Sequence, residues 1–93
     1  MSTTERIEFL RATTKPAPTR KIPKIYFRKA HGVVCQTTLY EYYVQLINDT
    51  LDEIRKGFTA YIFNFEQVAE VFRYEPKARI IYLEKEDCFA VRL

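Results

Sequence analysis

The sequence predicts an α+β domain: a small, mostly antiparallel sheet packed on one long amphipathic helix and one short helix, behind an extended basic N-terminal arm. Three observations carry this. Apolar residues recur at helical spacing from Leu39 to Lys56, two β-rich runs flank a polar turn near the C-terminus, and three of the four prolines (Pro16, Pro18, Pro23) share one stretch. Ninety-three residues suffice for one core. The expected division is an N-terminal segment over 1–23 and a single domain over 24–93.

Ser2 with Glu5 reads as a capping box for a short helix reaching about Arg11, although Ile7 and Phe9 also alternate as a strand would. From Thr13 to Pro23 the prolines remove backbone donors and bias the preceding residues to extended geometry, so this stretch reads as an arm or linker. Lys24 to Lys29 alternates Ile25 and Phe27 against Lys24, Tyr26 and Arg28. With a turn at Ala30-His31-Gly32 and a return through Val33-Val34-Cys35, a β-hairpin is expected over 24–36.

Thr38 and Glu41 form a second capping box ahead of the long helix. At 100° per residue, Leu39, Tyr40, Tyr43, Val44, Leu46, Ile47, Thr50, Leu51 and Ile54 fill one arc of roughly 160°. Polar residues from Glu41 to Lys56 fill the opposite arc, and Gly57 suits the left-handed cap. Thr59 to Asn64 reads as a strand, and Asn64 with Gln67 as a helix start. Phe65, Val68, Val71 and Phe72 give that helix one apolar face, and it must stop before Pro76. Arg79–Glu84 and Cys88–Leu93 read as two strands around Lys85-Glu86-Asp87, with Phe89, Val91 and Leu93 facing the core.

Charge is unevenly spread. Residues 1–31 carry eight Lys/Arg against two acids, and residues 32–93 seven against ten, so a basic arm precedes an acidic body. No apolar run is long enough to span a bilayer, and the first ten residues are not a secretion signal. A cytoplasmic location follows as the expectation, with Cys35 and Cys88 as free, buried thiols.

The inventory argues against catalysis. The one Ser is Ser2 and the one His is His31, which reads as a turn residue. Two Cys and one His cannot assemble a structural zinc site, and Glu84, Glu86 and Asp87 lack the spacing of a calcium loop. With Gly only at 32 and 57 there is no phosphate loop. The expectation is no enzyme, no cofactor and no metal.

Binding remains, in two forms. In the first, the chain is a small regulator or inhibitor that engages another protein. Tyr42 stands in the polar arc of the long helix, beside Gln45, Asp49 and Glu53, and exposed Tyr is enriched at contact surfaces. In the second, Lys15, Arg20, Lys21, Lys24, Arg28 and Lys29, with Tyr26 interleaved, hold nucleic acid through the arm and first hairpin. The arm can equally fold back on the acidic helix face. A short helix before a terminal hairpin resembles a winged helix, yet Glu66 and Glu70 on that helix and the acids of the turn would repel phosphate. In general character the chain resembles accessory or inhibitory proteins of phages and other mobile elements. The last strand, read as an edge, offers a way to pair subunits, so the expected state is a monomer or a homodimer.

Overall fold

The computed structural model describes the backbone of residues 2–22 and 34–93, and the side chains of the same residues except 34–40. Helix α1 runs from Thr3 to Thr13, and its start is the expected cap. The Ser2 hydroxyl accepts from the Glu5 N–H at 3.1 Å and donates to the Glu5 carboxylate at 3.2 Å. Ile7 is its buried residue. The helical reading of this segment therefore holds over the strand alternative. Residues 14–22 follow without regular structure, but they are not loose. The Ala17 N–H donates to the Arg73 carbonyl at 2.8 Å, and Ile22 is buried.

Helix α2 spans Val34–Arg55 and begins four residues before Thr38, which is therefore inside the helix and not at its N-cap position. The expected second strand at Val33-Val34-Cys35 is corrected by the same observation, since Val34 and Cys35 are helical. The rest of the 24–36 hairpin lies outside the described residues. The correction has a simple cause. The β-branched penalty in a helix is only tenths of a kcal/mol per residue, while each added residue of an existing helix gains a hydrogen bond.

Within the apolar arc of α2, Val44, Ile47, Thr50, Leu51 and Ile54 are buried and Tyr43 and Leu46 half-buried, while the side chains of Leu39 and Tyr40 lie outside the described ones; Glu41, Tyr42, Gln45, Asp49, Asp52 and Glu53 are exposed. Its end is a full Schellman motif. The Phe58 N–H bonds the Glu53 carbonyl at 3.0 Å, the Gly57 N–H bonds the Ile54 carbonyl at 3.1 Å, and Gly57 takes φ 95°.

Strand β1 (Ala60–Ile62) leads to helix α3 (Phe65–Tyr74), and β2 (Arg79–Leu83) and β3 (Cys88–Arg92) follow as a hairpin. The start of α3 answers the expectation in detail. The Asn64 side chain accepts from the Gln67 N–H at 2.9 Å, and the Gln67 side chain accepts from the Phe63 N–H at 2.7 Å. Val68, Val71 and Phe72 are buried below it, each burial worth roughly 1.5–3 kcal/mol. At the other end Arg55 ties the two helices together. Its guanidinium pairs with Glu75 at 3.2 Å and donates to the Tyr74 carbonyl at 2.9 Å, one of the acceptors that the last turn of α3 leaves unpaired.

The sheet order is β1-β3-β2, antiparallel throughout. The terminal strand is thus the central one, paired on both sides, and the expectation that it offers an edge is corrected. The described edges are β1 and β2. Leu93 lies one residue beyond the last Arg79–Arg92 register pair and is 49% exposed, so it does not join Phe89 and Val91 in the core. Helix α1 contacts β2 and α3, while α2 contacts β1, β3 and α3. Ala60, Ile62, Ile80, Phe89 and Val91 meet these helices on the inner side of the sheet. The result is mixed α+β architecture with its core between one helical layer and one sheet face.

Candidate functional site

Side-chain alternation sends every second strand residue to the other side of the sheet, and no described helix covers that side. Register places Tyr61, Ala90 and Ile81 in one row across the three strands. Tyr61 is 52% and Ile81 61% exposed, whereas Ala90 is buried between them. Cys88 and Leu83 form the next row, with Cys88 again small and buried. The central strand therefore floors a shallow trough, walled by Tyr61 on one side and by Ile81 and Leu83 on the other. Phe63, the next outward step beyond β1, is also exposed.

One end of this face is basic. Arg79 and Arg92 are register partners, both exposed, and no described carboxylate pairs with either. Like charges directly opposite one another across a ladder repel. The opposite end is the β2–β3 turn, where Glu84, Glu86 and Asp87 are exposed. Asp87 adopts φ 51° and its carboxylate accepts the Tyr82 hydroxyl at 2.7 Å. That hydrogen bond, with burial and the carboxylate's charge behind it, raises the Tyr82 pKa above its ordinary 10.0.

A pocket of about 250 Å³ opens beside this turn, lined by Phe63, Phe65, Tyr82, Phe89 and Asp87 among others. The Phe65 and Phe89 rings meet edge to face at 5.0 Å, and Tyr82 lies 5.3 Å from Phe89. Among the described residues no three His, Cys, Asp or Glu side chains converge as a metal site would need, and no helix is long and apolar enough to cross a membrane.

The residues singled out from sequence fall in two other places. Tyr42, Gln45, Asp49 and Glu53 share the solvent side of α2, Tyr42 at 71% exposure, with the Gln45 amide donating to Asp49 at 2.8 Å. Lys15, Arg20 and Lys21 are exposed along the arm. Lys24, Tyr26, Arg28 and Lys29 lie outside the described residues. Among the described residues the arm meets α2 through the neutral Asn48 amide at Ile22. Sequence reasoning missed the sheet face. Its local signal was the alternation of Tyr61 and Phe63 against Ala60 and Ile62; what gathers Ile81, Arg79 and Arg92 beside them is long-range pairing.

No protein-family model, no curated protein and no solved structure matches this chain.

Proposed function

We propose that this chain is a small cytoplasmic regulator or inhibitor that works by binding another protein, with no chemistry of its own. One observation carries the reading. Of the seven exposed large apolar side chains among the described residues, three (Tyr61, Phe63 and Ile81) fall on the outward phase of the strands. Scattered apolar residues need no explanation, but a grouped set beside unpaired arginines has the composition of an interface centre. Tyr and Arg also dominate binding energy where they occur in such patches. The partner surface this face fits is apolar at its middle and acidic where it meets Arg79 and Arg92. The Tyr42–Gln45–Asp49–Glu53 stripe is a second contact surface in this reading, with one aromatic among acids.

The second reading, nucleic-acid binding, draws on the exposed Lys15, Arg20 and Lys21 and on the arginine pair beside Tyr61. Affinity capture with and without nuclease separates the two. Under the protein reading, wild type retains one stoichiometric protein after nuclease treatment, Ile81→Glu loses it, and circular dichroism of the variant is unchanged. Recovery of nucleic acid with a nuclease-sensitive, heterogeneous protein set transfers the function to the basic residues. Full retention of the partner by a folded Ile81→Glu, with loss in Tyr42→Ala, moves the contact to α2.

A further inference from the structure

The pocket beside the β2–β3 turn has a chemistry that the sheet face lacks. Phe63, Phe65, Tyr82 and Phe89 supply four aromatic rings to its lining, and the carboxylate at the rim belongs to Asp87. Aromatic faces carry negative quadrupole potential, and a ring cluster with one carboxylate attracts a weakly hydrated cation far better than a neutral or anionic group. The molecule already shows this attraction at one of the rings: the Arg6 guanidinium sits 4.1 Å from the Phe65 centroid. At about 250 Å³ the space lies below the roughly 300–1,000 Å³ of sites for drug-sized ligands, so it suits a compact head group.

The carboxylate is held in place. Tyr82 donates to one Asp87 oxygen at 2.7 Å, which orients the group and leaves its second oxygen without a described partner. Asp87 is further fixed by its left-handed backbone at the turn, a conformation that Asp tolerates better than most residues. We propose that this pocket binds an organic cation of the alkylated-ammonium class, with the rings of Phe63, Phe65, Tyr82 and Phe89 around the head group and Asp87 as its counter-charge. The site lies away from the arginine end of the sheet and shares only Phe63 with the proposed docking face, so choline binding is read on the chain alone, without the protein partner.

The test is an amide-resolved NMR titration of the intact chain with choline, alongside 3,3-dimethyl-1-butanol, which has the same shape and no charge. Saturable shifts at Phe63, Phe65, Tyr82, Asp87 and Phe89 with choline, and much weaker ones with the alcohol, are expected. Asp87→Asn and Phe63→Ala, both at exposed positions, should each weaken choline binding roughly two- to fivefold. Arg6→Ala should strengthen it, because a competing cation leaves the neighbourhood of Phe65. A merely structural role for these residues does not predict opposite signs. A peptide carrying trimethyl-lysine then distinguishes the sources: tighter binding than choline assigns the pocket to a partner's side chain, and equal or weaker binding to a free small cation. Equal affinity for choline and the alcohol, or no saturable shift at these amides, overturns the proposal.

Discussion

Asn48 and Ile22, twenty-six residues apart, exchange two hydrogen bonds: the Ile22 N–H donates to Asn48 Oδ1 at 2.9 Å, and Asn48 Nδ2 donates back to the Ile22 carbonyl at 3.2 Å. A single side-chain amide here does what a neighbouring strand would do, meeting both backbone groups of one buried residue. It fixes the arm to α2 at the point where Ile22 enters the core.

Substitution at Asn48 tests that junction. Asn48→Ala leaves both backbone groups of Ile22 without this partner and should cost about 1–3 kcal/mol in urea unfolding. Asn48→Asp keeps the acceptor but sets a carboxylate against the Ile22 carbonyl, so it should also destabilise at pH 7. A cost below about 0.5 kcal/mol in both variants would show that the arm is held elsewhere.

The arginine pair makes a prediction of opposite sign for stability and for binding. Arg79→Glu turns a like-charge cross-strand pair with Arg92 into an opposite-charge one, which should stabilise the fold by roughly 0.2–1 kcal/mol. The same change should weaken capture of the protein partner, since an acidic partner then meets a carboxylate. Thermal unfolding and the capture assay read the two effects separately. Loss of stability would mean that the arginines do not repel each other as their register implies.

Alkaline pH acts through Tyr82. Its folded-state pKa is raised, chiefly by the hydrogen bond it donates to Asp87, so the folded state favours the neutral phenol. This contribution is fully present below the ordinary value of 10.0 and is lost as pH rises through the raised folded value. Wild type should therefore lose stability more steeply than Tyr82→Phe between pH 10.0 and that raised value, and no more steeply beyond it. Asp87→Gly, which suits the φ of 51°, should bring the Tyr82 midpoint back down in a ¹³C NMR titration. Coincident midpoints in wild type and Asp87→Gly would remove Asp87 as the cause.

What the sequence made legible was local. The buried arc of α2 follows from its 3.6-residue period, and Asn64 with Gln67 marked the start of α3 because both capping partners lie within one turn. The terminal hairpin was legible because a polar turn joins its strands directly. By contrast, Asn48 was placed correctly in the polar arc, yet nothing near it in the chain announces a bond to Ile22. The uncovered sheet face escaped for the same reason. Tyr61 meets Ala90 only through the β1–β3 ladder, a pairing between strands that α3 and β2 separate in the chain. The early start of α2 at Val34 went unseen because weak local propensity was read as decisive when helix continuation outweighed it.

The central place of β3 also bears on how the chain is made. Strands β1 and β2 do not pair with each other; among the described strands each pairs only with β3, and both precede it in sequence. While the chain emerges from the ribosome, Ile62 and Ile80 therefore wait in unpaired strands until residues 88–92 arrive. Helices can form by turns during synthesis, but both ladders must close together, late, around one five-residue segment. A chain stalled before Cys88 would hold β1 and β2 without the strand that joins them.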